Sequence, residues 1–115
     1  MSVTIWHNPR CSKSRRTLKL LNDRGIVPTI VEYLRTPPEP DRLRIALEML
    51  GMAPRELMRR NEPPYKAEGL DEESLPDDAL IRAMHDHPVL IERPVVFAGG
   101  KAALGRPPER VLDIL

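Results

Sequence analysis

The residue best suited to chemistry in this sequence is Cys11, the only cysteine among the 115 residues. A cysteine acts as a nucleophile in its thiolate form, so a reactive cysteine needs a depressed pKa. Cys11 lies where a predicted strand passes into a predicted helix, and a helix N-terminus favours an anion through its free N–H groups and partial positive charge. Basic side chains nearby add full positive charge, and these are Arg10, Lys13 and Arg15. We therefore expect a reactive thiolate at Cys11.

The backbone after Cys11 also suits an anionic substrate. The N–H groups of Ser12, Lys13 and Ser14 would form a cradle for a tetrahedral oxyanion at the helix N-terminus. One site would then both activate the sulfur and bind the substrate. The alternative is structural, because a lone cysteine is often buried and only fills space. The polar and basic residues on either side of Cys11 favour the reactive thiol.

The lack of a second thiol restricts the redox chemistry. In the segment 11–14, Ser14 occupies the position at which a Cys-x-x-Cys redox pair has its second cysteine. An internal disulfide is excluded, and so are zinc or iron–sulfur sites built from several thiolates. No carboxylate or second histidine has metal-ligand spacing around Cys11, so we predict no metal. If Cys11 turns over in redox chemistry, the second thiol must come from glutathione, a glutaredoxin or a thioredoxin.

The composition excludes several classes of protein. The 18 Lys and Arg side chains nearly cancel the 17 Asp and Glu side chains, so the net charge favours neither nucleic acid nor an anionic membrane. The N-terminal residues lack a basic region followed by an apolar run, and no apolar run is long enough to span a membrane. We expect a cytoplasmic protein that binds neither nucleic acid nor membrane, folded as a single domain over residues 1–115.

Prolines and glycines divide the first third of the sequence into clear elements. The β-type run Val3–Trp6 predicts a strand, and the apolar spacing in 11–23 predicts a helix that ends before Gly25. The run 28–34 predicts a second strand, parallel to the first. These elements would form a β-α-β unit that presents Cys11 at the start of its helix.

A helical insertion is predicted at about 39–88. Its first helix has apolar residues at helical spacing and ends at Gly51. A second helix is expected over 55–60, and a third begins at Asp77 and ends before Pro88.

The last part of the sequence predicts two strands and a helix. The runs 94–98 and 101–104 are separated by Gly99-Gly100, which is typical of a β-hairpin. A closing helix follows, with an apolar stripe of Val111, Leu112 and Leu115. The order β-α-β, helical insertion, β-β-α predicts an α/β fold in which helices flank a four-stranded mixed sheet. This is the thioredoxin architecture, and ferredoxin-like folds compete with it.

Four segments, spread over essentially the whole chain in the same order, resemble the ArsC family of glutaredoxin-coupled arsenate reductases, and most closely its YfgD-like branch. They are residues 7–15, 57–61, 87–94 and 105–113. The resemblance implies a thioredoxin-like fold with a helical insertion. It also implies that Cys11 is the nucleophile.

The resemblance further implies three arginines around the oxyanion, at Arg59, Arg93 and Arg106. Guanidinium groups match oxyanions in a bidentate way and keep their charge at any working pH. Two of these arginines also have an alternative interpretation in which they do not bind an oxyanion. Arg59 would lie on a predicted helix beside Arg60 as a solvated surface pair, and Arg106 would be an ordinary loop residue before a helix.

Two further positions have supporting roles by resemblance. The bond between Arg93 and Pro94 is expected to be cis, which would turn the backbone toward Cys11. His7 is expected to tune the thiolate through a hydrogen bond or its charge. The alternative for His7 is a structural role, which is common for a histidine at the end of a strand.

The resemblance thus implies reduction of arsenate to arsenite, with glutathione as co-substrate, glutaredoxin as partner and no bound cofactor. The sequence departs from the family in one place, because Ser12-Lys13 replaces a smaller Gly-Thr pair and this bulkier pair could narrow the anion site. One alternative function is a thiol-redox or oxidative-stress protein that is glutathionylated at Cys11. Another is a regulatory binding module like the Spx proteins, although Ser14 removes the Cys-x-x-Cys switch on which such proteins usually rely.

Overall fold

The structure is a computed structural model that describes residues 2–115. Its strands are β1 (Val3–Trp6), β2 (Thr29–Val31), β3 (Val95–Ala98) and β4 (Lys101–Leu104). Its α-helices are α1 (Ser12–Asp23), α2 (Pro40–Leu50), α3 (Pro54–Leu57), α4 (Pro63–Ala67) and α5 (Asp77–Asp86). Two 3₁₀ helices cover Pro88–Leu90 and Pro108–Ile114. The chain forms two compact units: residues up to Thr36 together with Arg93–Leu115, and Pro37–Glu92.

The first unit contains a mixed four-stranded sheet in the order β2-β1-β3-β4. β1 pairs in parallel with β2 and antiparallel with β3, so that Ile5 lies opposite both Ile30 and Val96. β3 and β4 form the predicted hairpin, and both turn residues, Gly99 and Gly100, have the positive φ that such a turn requires. The predicted β-α-β unit, its parallel strands and the four-stranded mixed sheet are confirmed.

One face of this sheet carries the core of the first unit. Side chains alternate between the two faces of a strand, so every second residue of β1 and β3 points to the same side. On that side the core consists of Val3, Ile5, Val96 and Ala98 from the sheet, with Leu21 of α1 and Val111 of the closing helix. Burial of these side chains holds α1 against the sheet and thereby fixes the place where the helix begins.

The buried face of α1 is more polar than the sequence suggested. Its buried residues are Ser14, Thr17 and Leu21, at helical spacing, whereas Leu18 is only partly buried. The hydroxyl of Thr17 donates a hydrogen bond to the Lys13 carbonyl at 2.8 Å. Such bonds satisfy hydroxyl groups that would otherwise be costly to bury.

Two elements of the first unit differ from the sequence-based expectation. β2 is shorter than the predicted 28–34, because the chain turns at Glu32, whose carbonyl accepts hydrogen bonds from the amides of Arg35 and Thr36. The closing helix is a 3₁₀ helix, in which residues three apart eclipse each other. Its inward side therefore carries Val111 and Ile114, and the predicted stripe with Leu112 and Leu115 was wrong.

The second unit is helical and has its own apolar core. Its buried side chains include Leu43 and Leu47 of α2, Leu57 of α3 and Met84 of α5. α2 ends at Gly51 as predicted, where φ is 67°. The predicted insertion at 39–88 lies within this unit, which extends over Pro37–Glu92.

The helix predicted over 55–60 was wrong in its extent. α3 ends at Leu57, and Met58 then pairs with Ile91 in an antiparallel bridge. The Arg59 amide continues this pairing by donating to the Leu90 carbonyl at 2.7 Å. Arg59 therefore lies on an extended segment and not on a helix beside Arg60.

The loop after α4 is held by one arginine of α3. The Arg55 guanidinium donates to the Tyr65 hydroxyl at 2.7 Å and to the carbonyls of Leu70 and Glu72, both at 2.5 Å. α4 itself was not predicted. Within residues 2–115, no helix has the length and apolar character needed to cross a membrane.

Candidate active site

Cys11 is the N-cap residue of α1, with an extended backbone at φ −91° and ψ 124°. Its amide donates to the Asn8 carbonyl, and its carbonyl accepts from the Arg15 amide, each at 3.0 Å. The thiol is free and partly exposed. The loop after β1 thus places the sulfur at the positive end of a 12-residue helix.

Several groups act on the Cys11 thiol with opposite signs. Burial raises its pKa, while the Ser14 amide, the Arg93 guanidinium, the Lys13 amide and the Arg106 guanidinium lower it, in that order of size. The lowering effects prevail, and the pKa of Cys11 lies below its usual value. Although the thiol makes no full capping hydrogen bond, the two amides are close enough to favour the thiolate. The site thereby has the property that nucleophilic cysteines require.

The positive charges that act on the sulfur are not those expected from the neighbouring sequence. Arg93 and Arg106 are the charged side chains that lower the pKa of Cys11. Arg10 is exposed, and the Arg15 guanidinium donates to the Pro9 carbonyl at 2.9 Å, which ties it to the loop before the helix. The effective charges therefore come from residues distant in sequence.

The Arg93 guanidinium has hydrogen-bond donors that no other group in residues 2–115 accepts from. Its Nε and Nη1 atoms are buried and have no hydrogen-bond partner within residues 2–115. The Nε of Arg106 donates to the Arg93 carbonyl at 2.9 Å, which joins the two arginine-bearing loops. Buried donors without partners are rare because they are costly, so an anion that accepts from Arg93 would stabilise this arrangement.

The backbone at these two loops is held closely against α1. The bond between Arg93 and Pro94 is cis, as the resemblance implied, and the bond between Arg106 and Pro107 is cis as well. The Gly105 amide donates to the Pro94 carbonyl at 2.9 Å. A Cβ atom at Gly105 would lie 2.5 Å from Thr17 Oγ1 and 2.7 Å from Pro94 Cγ. Only glycine allows this approach without displacing its neighbours.

His7 and Ser14 form a buried pair beside Cys11. His7 Nδ1 and Ser14 Oγ are 2.6 Å apart, and the Asn8 amide donates to the same hydroxyl oxygen at 3.0 Å. Burial lowers the pKa of His7, Glu32 opposes this shift and Arg15 adds to it, so the neutral imidazole is favoured. The pair links the end of β1 to the first turn of α1.

The hydrogen bond between the Ser14 hydroxyl and His7 is the feature that sequence reasoning missed, since Ser14 was considered only for its amide and as the residue in place of a second cysteine. A signal was present in the sequence, because His7 and Ser14 flank a strand–loop–helix junction and both carry side chains that can form hydrogen bonds. Ser12 and Lys13 lie in the same first helical turn with exposed side chains. Their predicted role concerns their backbone N–H groups, of which the Lys13 amide, together with that of Ser14, lowers the pKa of Cys11.

Arg59 belongs to the second unit. Its Nη1 forms an ion pair with Glu62 Oε1 at 2.7 Å, and the side chain is 26% exposed. Its part in binding an oxyanion stays a prediction. Within the described residues, no group of three or more His, Cys, Asp or Glu side chains is arranged to hold a metal ion.

Comparison with known proteins places this chain in a family. The sequence profile of the ArsC family matches residues 6–114, which covers nearly the whole chain. The chain belongs to the ArsC family. Proteins of this family have a thioredoxin-like fold, so the predicted thioredoxin-like fold is confirmed.

Three relatives of this ArsC protein match it over nearly their full length. The chain is 55% identical to YfgD of Escherichia coli strain K12, covering 98% of this chain and 96% of that protein. It is 51% identical to an arsenate reductase of Neisseria meningitidis serogroup B, covering 98% and 97% respectively. The solved structure of an arsenate reductase from Vibrio cholerae superposes with a TM-score of 0.98 at 51% identity, covering 100% of this chain and 98% of that one.

Proposed function

We propose that this ArsC protein is an arsenate reductase that uses Cys11 as its nucleophile and glutathione with glutaredoxin as its source of electrons. The observation that carries the proposal is the Cys11 thiol, whose pKa is lowered by the start of α1 and by Arg93 and Arg106. The 51% identity to proteins named arsenate reductase supports arsenate as the oxyanion.

Arsenate binding would use groups that already surround the sulfur. Arsenate is a tetrahedral anion, and helix N-terminal amides together with guanidinium forks are the groups that proteins use for such anions. The free donors of Arg93 would donate hydrogen bonds to two of its oxygens, and Arg106 would add charge. Arg59 is proposed as a third arginine. The anion would thus be held where its arsenic atom faces Cys11.

The first chemical step is nucleophilic attack of the Cys11 thiolate on arsenic. An S–As bond forms, one As–O bond breaks, and that oxygen leaves as water after taking up protons. Arsenic remains in its +5 state in the resulting Cys11-bound arsenate. The arginines and the helix N-terminus stabilise the charge that develops on the oxygens during this displacement.

Reduction follows by thiol attack on the adduct. A glutathione thiolate attacks the Cys11 sulfur, the S–As bond breaks, and its electron pair stays with arsenic, which leaves as arsenite. The two sulfurs become a mixed disulfide between Cys11 and glutathione. A glutaredoxin thiolate then attacks the glutathione sulfur and releases the Cys11 thiolate. Ser14 offers no thiol for this step, so the reductant must be external.

The dependence on external thiols also supports a cytoplasmic location. Glutathione and glutaredoxin maintain thiols in reducing compartments, whereas oxidising compartments favour disulfides. We therefore propose that the reaction takes place in the cytoplasm.

The test is arsenate-dependent oxidation of glutathione in the presence of glutaredoxin. We expect saturable arsenite formation by the wild type and none by Cys11→Ser, while Ser74→Ala, at an exposed serine, keeps wild-type activity. If the activity of the wild type is no greater than that of Cys11→Ser, the proposed arsenate reductase activity is refuted. Rapid glutathionylation of Cys11 without arsenate turnover would instead favour a thiol-redox protein, a function for which the free, partly exposed thiol is also suited.

A further inference from the structure

A cleft in the first unit lies at the carboxyl ends of the parallel strands β1 and β2. Its volume is about 200 Å³, and its charged lining consists of Arg10, Glu32 and Arg35, with His7 and Asn8 beside them. The carboxyl ends of parallel strands are a common location for ligand sites in α/β proteins. The proposed binding of arsenate by α1, Arg93, Arg106 and Arg59 does not use these three charged side chains.

The charges in this cleft form a pattern of two cations and one anion. The guanidinium groups of Arg10 and Arg35 are exposed, and within residues 2–115 neither has a hydrogen bond or ion pair to another side chain. Glu32 is partly buried, lines the same cleft and acts electrostatically on the ring of His7. A ligand that bears two carboxylates and one ammonium group would complement all three charges.

The cleft is close to Cys11 because the two share one loop. Arg10 directly precedes Cys11, which puts their Cα atoms about 3.8 Å apart. The Asn8 carbonyl, on the same wall, accepts the hydrogen bond from the Cys11 amide at 3.0 Å. A short peptide spans roughly 3.3–3.6 Å per residue, so a peptide with its ends in the cleft reaches Cys11 with a central thiol.

We propose that this cleft binds the charged ends of a small peptide thiol and delivers its sulfur to Cys11. Arg10 and Arg35 would hold the two carboxylates, and Glu32 would hold the ammonium group. Glutathione has this set of charges and a thiol on its central residue. The inference rests on the proposed function for its biological role, since that function requires an external thiol at Cys11.

The experiment measures thiol exchange at Cys11 without arsenate. The Cys11 thiolate attacks one sulfur of glutathione disulfide, the S–S bond breaks, Cys11 becomes joined to glutathione, and a glutathione thiolate leaves. The rate of this step is followed by intact-protein mass spectrometry at increasing disulfide concentration. Bis(2-hydroxyethyl) disulfide, which is uncharged, reports the intrinsic reactivity of the thiolate in each variant.

The expected result is a loss specific to the charged disulfide. Arg10→Gln and Arg35→Gln should each slow the reaction with glutathione disulfide roughly five- to tenfold and change that with the uncharged disulfide by less than about twofold. Arg110→Gln, at an exposed arginine elsewhere in the first unit, should react with both disulfides as the wild type does. Equal rates for Arg35→Gln and Arg110→Gln would overturn the proposal.

Glu32→Gln distinguishes a built subsite from general attraction of anions. A subsite that holds an ammonium group loses a contact, so the reaction with glutathione disulfide should become slower. General attraction predicts the opposite, because the protein loses a negative charge, and a faster reaction would overturn the proposal. These readouts need no arsenate, so a protein that shows them but fails to reduce arsenate would refute the proposed function and leave the cleft assignment intact.

Discussion

The reactivity of Cys11 depends on single residues that lie far from it in sequence. Burial of the thiol would by itself raise its pKa, and the amides of α1 together with Arg93 and Arg106 reverse this effect. Cys11 and its helix end are local features that the segment 7–15 makes recognisable. The two arginines act only because the loops that carry them fold against the start of α1.

Replacing Arg93 with methionine should raise the pKa of Cys11, because a positive charge that favours the thiolate is removed. The rate of alkylation by iodoacetamide rises with the thiolate fraction, so its pH profile should shift to higher pH. At neutral pH the variant should react several-fold more slowly than the wild type.

The control for this shift is Arg110→Met, at an exposed arginine of the same unit. We expect its alkylation profile to coincide with that of the wild type. A midpoint for Arg93→Met that does not move relative to the control would contradict the assigned role of Arg93.

At the scale of elements, the site is an assembly of one helix end and two loops. The hairpin brings the residues before β3 and after β4 side by side, as the bond from the Gly105 amide to the Pro94 carbonyl indicates. α1 packs against Gly105 through Thr17, whose hydroxyl is already bonded to the Lys13 carbonyl. The contact at Gly105 therefore fixes how closely the loop after β4 approaches α1.

Gly105→Ala should destabilise the protein by about 1–3 kcal/mol, because the added Cβ meets Thr17 Oγ1 at 2.5 Å and Pro94 Cγ at 2.7 Å. The measurement is urea unfolding followed by the fluorescence of Trp6, which is buried in β1. Adding Thr17→Ala should recover part of the loss, so that the double variant is more stable than the sum of the two single effects.

Lys101→Ala, at the exposed start of β4, serves as the control and should unfold as the wild type does. A Gly105→Ala variant within about 0.5 kcal/mol of the wild type would show that the loop accommodates the methyl group.

The element predictions that failed share a physical cause. Periodicity identifies long amphipathic helices such as α1, α2 and α5, whose apolar spacing extends over several turns. It does not identify where a short helix stops. α3 ends because Met58 pairs with Ile91, a partner distant in sequence, and local propensity carries no information about that pairing.

At the scale of the whole molecule, the chain consists of a sheet-containing unit and a helical unit. The first contains Cys11, Arg93 and Arg106, and the second contains Arg59. Arg59 forms an ion pair with Glu62, and its part in arsenate binding stays a prediction.

If Arg59 binds arsenate, Arg59→Met should raise the KM for arsenate about tenfold or more, as expected for loss of a charged hydrogen bond to an anion. The same variant should leave the rate of Cys11 alkylation unchanged. Arg60→Met, at the exposed neighbouring arginine, should have a normal KM. Equal KM values for the two variants would show that Arg59 does not bind arsenate.

The sequence by itself determined the α/β class, the succession of strands and helices along the chain, the lone thiol and its place at a helix start. These follow from short-range patterns: apolar spacing, turn glycines and the position of Cys11 after a strand. The tertiary structure decided which charges reach the sulfur, why Gly105 must be glycine and that Ser14 turns its hydroxyl toward His7. The first two features depend on contacts between segments far apart in the chain, which only the packing of the sheet against α1 brings together. The third depends on how the loop between β1 and α1 folds back on the helix start.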